Sequence, residues 1–247
     1  MLVEVYLADL HVHTALSPCA EAEMTPPAIV TAAAERGVRI LGICDHNSAE
    51  NAIAVAEVGE AAGVAVMVGM EVQTREDVHV LTFFGDPGAL FKWQEEVYAS
   101  LPDIDNDEQR FGEELILDSR GAVRGRLRRL LLSSASMGID HVGRRVRQLG
   151  GLVVPAHVDR PSFSLIRNLG FIPPGLQPDA VEVSPRTGAA RARDLFPQIA
   201  GLPVIVSSDA HRLDDIRGHT GFLLERPSFD EVRLALASTG GREIVPA

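Results

Sequence analysis

The sequence predicts an α/β fold, a barrel of parallel strands covered by helices, and three observations point to it. Short, near-continuous apolar runs alternate with helical segments, the pattern of a parallel sheet buried on both faces. At 247 residues and 46% hydrophobic, the chain can bury one such barrel. Histidines and carboxylates recur at the ends of the apolar runs, and the C-terminal rim of the strands is where barrels of this class build their sites.

The first strand covers residues 3–13 and carries Asp9-Leu10-His11-Val12-His13-Thr14. Side chains alternate along a strand, so His11 and His13 face the same way. Thr25 suits an N-cap and Pro26 a first helical position, opening a helix that runs through Ala34 and stops at Gly37. Residues 38–44 form an apolar strand ending in Asp45-His46-Asn47, with Asn47 set to bond Asp9 or cap the helix that follows. Ser48 caps that helix, over residues 49–62, and Gly63 closes it. Residues 64–68 are a third strand, followed by Gly69-Met70-Glu71, and residues 78–84 a fourth, with His79 inside it. Residues 87–100 are a helix. The alternation resumes with a helix over 139–149 and a strand over 152–156 ending at His157. Strands over 180–183 and 204–206 follow, the latter running into Ser207-Ser208-Asp209-Ala210-His211. Ser228 caps a helix through Ser238, with Asp230 and Glu231 in its first turn. Between the two runs, residues 101–137 break the pattern with an acidic stretch at 103–108 and a hairpin candidate over 114–123 turning at Asp118-Ser119-Arg120-Gly121. The chain is therefore read as one domain, 1–247, with an insertion at about 101–137.

The formal net charge of −11 and pI near 5.2 argue against a broad basic surface for long nucleic acid or an anionic membrane. They suit a cluster of divalent cations. Two cysteines, Cys19 and Cys44, make no disulfide framework. The stretch 1–6 lacks the basic start of a signal peptide, and no run of 18 apolar residues occurs. These features lead us to expect a cytoplasmic protein.

The candidate site gathers His11, His13, Asp45, His46, Glu71, His79, His157, Asp209 and His211, all placed at strand ends. Six of the eight histidines select that one rim, which scattered core histidines would not do. Imidazole with a few carboxylates suits Zn, Mn or Fe rather than Mg or Ca alone. The set exceeds what one tetrahedral ion needs, which points to two or three ions.

The pieces Asp9-Leu10-His11-Val12-His13-Thr14, Asp45-His46-Asn47, Gly69-Met70-Glu71, Asp77-Val78-His79, Ala156-His157 and Ser208-Asp209-Ala210-His211 resemble, in order, the motifs of the PHP (polymerase and histidinol phosphatase) domain family. The resemblance implies a distorted seven-stranded (β/α)7, TIM-like barrel with a trinuclear metal site. It implies one ion on His11, His13, Glu71 and Asp209, a second on Glu71, His79 and His157, and a third on His46, His211 and a residue after His13. At that last position the chain departs from the family: Cys19 stands there, with Glu21 and Glu23 as substitutes, and thiolate is a good ligand for zinc or iron.

The leading expectation is a metal-dependent phosphoesterase acting on a small phosphate monoester, histidinol phosphate- or nucleotide-like, through a metal-activated hydroxide. Arg160 and Arg186, each just past a strand end, are candidate phosphate contacts. Asp209 is a candidate proton donor to the leaving group. Asp45 is expected to orient a histidine through its second nitrogen. Alternatives are an exonuclease on short oligonucleotides, an amidohydrolase and a non-catalytic metal-binding module. The amidohydrolase reading is weakened because the only lysine, Lys92, lies in a helix where it cannot bridge metals. His141 and His219 are read as surface residues and Cys44 as core.

Overall fold

The computed structural model describes residues 2–247; Met1, part of the N-terminal stretch read above, lies outside them. In chain order the elements are β1 (Glu4–Val12), α1 (Pro26–Glu35), β2 (Ile40–Ile43), α2 (Ala52–Ala62), β3 (Ala65–Gln73), β4 (His79–Phe84) and α3 (Pro87–Ser100). Then come α4 (Glu108–Phe111), β5 (Leu115–Leu117), β6 (Val123–Arg126), α5 (Ile139–Gln148), β7 (Leu152–Pro155), α6 (Leu165–Leu169), β8 (Val181–Val183) and α7 (Ala189–Leu195). The chain ends with β9 (Val204–Val206), β10 (Thr220–Leu224), α8 (Phe229–Leu236) and β11 (Glu243–Pro246).

A seven-stranded sheet with the order β11-β10-β1-β2-β3-β4-β7 curls into a half-barrel, and β8 and β9 form a separate parallel pair beside it. Asp179 N–H donates to the Val153 carbonyl at 2.9 Å, and Val158 N–H to that of Glu182 at 2.9 Å, tying β8 to β7. At the other end, a parallel bridge between Val12 and Ala210 ties the segment after β9 back to β1. The curl thus brings β1 and the end of β9 together across a large sequence distance, as a TIM-like fold requires.

Strands β1, β2 and β3 are parallel, but β4 runs antiparallel to both β3 and β7. This corrects the expectation of an all-parallel sheet. Residues 74–78 are far too few for a parallel crossover, which needs a dozen or more, so β3 and β4 must form a hairpin. Strand β3 also continues through Glu71 to Gln73, which puts Glu71 inside a strand rather than after one. Helix α2 starts at Ala52, three residues later than read, because the Ser48 hydroxyl pairs with Tyr98 at 2.7 Å and leaves the helix N-terminus to Asn51. Strand β10, the edge strand β11 and the short helices α4, α6 and α7 were not expected from the sequence. Within 101–137, β5 and β6 form the hairpin, with Gly121 in the left-handed region at φ 78°.

The sheet separates two apolar cores. On one face Val30, Val55, Leu90, Trp93 and Val142 fill the space under the helices. On the other, Ala8, Leu10, Ile40, Met67, Leu81, Phe83 and Val154 pack on the face that carries the site. Leu10 belongs to the second core and Val12 to the first, although residues two apart on a regular strand share a face. A register shift between Asp9 and Val12 accounts for the switch. Such a bulge re-aims side chains next to a site, and here it turns His11 and His13 inward. Gly42 makes room for it: a Cβ there would lie 2.3 Å from the Leu10 carbonyl oxygen.

Candidate metal centre

The strand ends bring eight of the candidate side chains to one small cavity. His11 and His13 come from the bulged end of β1, His46 from the turn after β2, Glu71 from β3 and His79 from the start of β4. Gln73 pairs with His79 across the hairpin, so Glu71 and His79 are diagonal neighbours on one face. His157 follows β7, and Asp209 and His211 follow β9. The Glu71 carboxylate is central. Its Oε1 lies 2.8 Å from His79 Nδ1, 3.2 Å from His157 Nε2 and 3.4 Å from His11 Nε2, and its Oε2 lies 2.9 Å from His46 Nδ1. Despite that last approach, Oε2 has no hydrogen bond of acceptable geometry. Three sets of groups lie close enough to hold an ion: His11, His13 and Glu71; His46, Glu71 and His79; and His13, His46 and His211.

The proton inventory calls for a cation at this centre. His11 Nδ1 is 3.1 Å from both oxygens of Glu182, so that nitrogen carries the proton. His13 Nδ1 donates to Ser17 Oγ at 2.9 Å, and the Ser17 hydroxyl spends its own proton on Asp45 Oδ1 at 2.7 Å. With both rings neutral, both Nε2 atoms are bare lone pairs, and they face each other at 3.1 Å. Asp209 Oδ1 points into the same spot, 3.2 Å from one and 3.1 Å from the other. Acceptors this close, with no proton to share and all buried, repel one another unless a positive charge lies among them.

The electrostatics also draw positive charge to this point: without an ion, the acids around His11 favour a second proton on its ring. Burial opposes charge on Glu71, yet His79, His11 and His46 hold its carboxyl well below the usual range. Burial likewise opposes charge on Asp209, which His11 and His13 hold well below its ordinary value. His11 is driven well above its usual value by Glu182, Asp209 and Glu71 against the burial cost, whereas burial and the neighbouring His211 and His46 push His13 well below. A carboxylate so strongly held ionised is a poor reserve of protons, which counts against Asp209 as the group that protonates a leaving alkoxide.

The remaining candidates divide. Arg160 lines the cavity and its guanidinium pairs with Asp209 Oδ2. Cys19 is exposed as a residue; burial of its thiol is the largest single influence and raises its value, but His211 and His46 together outweigh it and bring it down to about 7. Of the two substitutes, Glu21 pairs instead with Arg212 at 3.0 Å, and Glu23 is exposed. Asp45 is buried behind the site, where Thr14 N–H, the Thr14 hydroxyl and Ser17 occupy its oxygens. It touches His13 only through Ser17 and does not line the cavity. Arg186 is exposed on the loop after β8 and is not among the cavity-lining residues, so the structure does not bring it to the site. Asn47 neither bonds Asp9 nor caps α2. Its amide N–H groups hold the Leu131 and Ser133 carbonyls, and its oxygen accepts from Gln73 N–H, fastening segment 131–133 beside His46. His141 is exposed and Cys44 buried, while half-buried His219 lines a separate cavity with β10 and β11.

Sequence reasoning missed Glu182, Ser17 and Phe163. The signal for Glu182 was a lone carboxylate in the buried strand Val181-Glu182-Val183, 1% exposed in the structure. Ser17 carried no pattern of its own.

A model of the PHP domain matches residues 9–150, more than half of the chain. The chain belongs to the PHP domain family. The donor set just described could hold metal ions. Among proteins of known sequence, this PHP protein is 24% identical to the uncharacterized protein YqxK of Bacillus subtilis, over 96% of its own length and 63% of the other's. Among solved structures it is similar to endonuclease Q of Pyrococcus furiosus, with a TM-score of 0.74 and 20% identity, over 98% of this chain and 58% of that one. A further structure shows endonuclease Q bound to a 27-mer duplex with an abasic lesion at its active site, TM-score 0.73 at 19% identity, over 97% of this chain and 58% of that one. A provisionally assigned metal-dependent phosphoesterase of Bifidobacterium adolescentis matches with a TM-score of 0.60 and 22% identity, over 94% of this chain and 96% of that one. The PHP chain spans less than two-thirds of the length of YqxK and of endonuclease Q. Among the described residues no helix is long and apolar enough to cross a membrane.

Proposed function

We propose that this protein is a metal-dependent phosphoesterase cleaving the phosphate ester of a small organic phosphate. One observation carries the reading: two imidazole nitrogens, with Asp209 and Glu71, converge on one point as the donors of an ion would. In this reading His11, His13, Glu71 and Asp209 hold one ion, Glu71, His79 and His157 a second, and His46, His211 and Cys19 a third. The ions would be Zn, Mn or Fe. When bound, they supply Lewis-acid polarisation of the phosphate oxygens and an activated water. The chain's own residues do the rest. Glu182 and Ser17 fix the ring tautomers that present Nε2. Arg160 offers a planar guanidinium that can exchange Asp209 for a phosphate oxygen. The whole chain is proposed to be one seven-stranded barrel, with 101–137 as an insertion that packs on the loop carrying Cys19, and to work in the cytoplasm.

A nucleic-acid substrate is a second reading, because the endonuclease Q structure holds a duplex. It reopens what the acidic charge had closed. The arginine-rich hairpin gives it little help, since Arg124, Arg126 and Arg128 already pair with Asp118, Glu113 and Asp105. The test is phosphate release from p-nitrophenyl phosphate by chelator-stripped protein given Mn²⁺ or Zn²⁺, with bis(p-nitrophenyl) phosphate as the diester. Activity should return with metal and fall at least about 100-fold in His13→Ala and Glu71→Ala. Equal rates in parent and variants would remove the reading.

A further inference from the structure

The loop from His157 to Ser164 ends in an exposed aromatic ring that the centre itself does not explain. Phe163 is 41% exposed, a large apolar side chain left partly in water beside a polar cavity. Its backbone is in the left-handed region at φ 54°, which costs a bulky residue free energy. The loop enforces that conformation. The Phe163 carbonyl accepts from His79 N–H at 3.0 Å, Ser164 Oγ donates to the Val158 carbonyl at 2.7 Å, and Asp159 accepts from Ser184 N–H at 2.9 Å. The ring stacks on His79, centroids 4.6 Å apart and planes 20° from parallel. With one face so occupied, the exposed surface is the other face and the edge. Phe163 lines the cavity together with Arg160, three residues earlier.

Size adds a second argument. The cavity holds about 150 Å³, against roughly 300 Å³ or more for pockets that enclose a whole small ligand. A phosphate group fits inside, and the organic part of the substrate must lie at the mouth, where Phe163 stands. A flat ring presented to solvent continues best with another flat ring, offset-stacked. We propose that Phe163 is the specificity-determining residue of this site and stacks the nucleobase of a nucleotide-type phosphate ester whose phosphate meets Arg160 in the cavity. This rests on the phosphoesterase reading and names its substrate class.

The test is calorimetric binding to Mn²⁺-loaded protein of three ligands: inorganic phosphate and the non-hydrolysable phosphonate analogues of AMP and of ribose 5-phosphate. Base stacking is lost by about 5- to 100-fold on removal of the aromatic partner. The parent should therefore bind the AMP analogue at least about 5-fold tighter than the ribose analogue. Phe163→Ala and Phe163→Leu should close that gap, Phe163→Trp should keep it, and all should bind inorganic phosphate alike. Two results overturn the proposal while leaving the phosphoesterase reading in place: a parent with no preference for the base, or variants that weaken phosphate and the AMP analogue equally, which would make Phe163 only a support for His79. Failure of the parent to bind any of the three overturns both.

Discussion

Glu182 decides which nitrogen His11 offers. Its carboxylate accepts a hydrogen bond from Nδ1–H, and it is itself oriented by the His157 backbone N–H, 3.1 Å from Oε1. One buried acid therefore aligns a ring from β1 with the loop after β7. Glu182→Gln keeps an acceptor but removes the charge that strengthens the imidazole. Apparent Mn²⁺ affinity should fall about 10- to 100-fold with the melting temperature of metal-free protein little changed. Unaltered affinity in a metal titration would show that His11 needs no such partner. The ligand-type residues were legible in the sequence because imidazole and carboxylate at strand ends are rare enough to stand out. Glu182 shared a strand with two valines and was passed over. Ser17 and Asp45 illustrate why such partners hide: their roles depend on a hydroxyl bridging groups 28 residues apart, and no local pattern encodes that.

At the scale of elements, the β1 bulge and its cavity-side partner Gly42 form one device. The Leu10 carbonyl occupies the space where any other residue at 42 would carry its Cβ. Gly42→Ala sets a methyl against backbone, which cannot rotate away. It should cost about 3 kcal/mol, read as a lower thermal midpoint, and reduce metal content per chain as His11 and His13 shift. A variant with the parent's stability and full metal content would show that the bulge has slack. Strand–helix alternation was readable from β1 through α3 because each strand is apolar and each helix has a start or stop signal. The direction of β4 was misread because hydrophobicity does not encode polarity of pairing; the five-residue connection does. Strands β10 and β11 were missed because they follow turns at Gly218 and at Gly240-Gly241, where pattern is weakest.

For the whole molecule, stability should depend on pH through Glu114, a residue of the 101–137 segment. Burial pushes its carboxyl up to about 7, against the Leu131 N–H, 2.8 Å away, and the charge of His46, and its Oε2 has no partner. The folded form therefore holds a proton that the unfolded chain, near the ordinary value of 4.5, has released. Between about 4.5 and 7 folding takes up protons, so stability falls as pH rises through that window, by roughly 3 kcal/mol in total. Glu114→Gln keeps the bond to Leu131 and should flatten this slope, making the variant more stable than the parent at pH 8 and similar at pH 4.5. Denaturant midpoints across the range measure it; parallel curves for the two proteins would contradict it.

The β3–β4 hairpin places Glu71 and His79 on one covalent loop of chain. Adding or deleting a single residue between Thr74 and Val78 would slip the pairing by one step and turn His79 to the opposite side of the sheet. Length variation elsewhere on the surface is tolerated by ordinary loops, but here it would edit the ion-holding set without touching any member of it. In related chains the span between those two positions should consequently be the most rigidly kept number in the sequence, and an engineered one-residue change there is a way to empty the centre while leaving every donor in place.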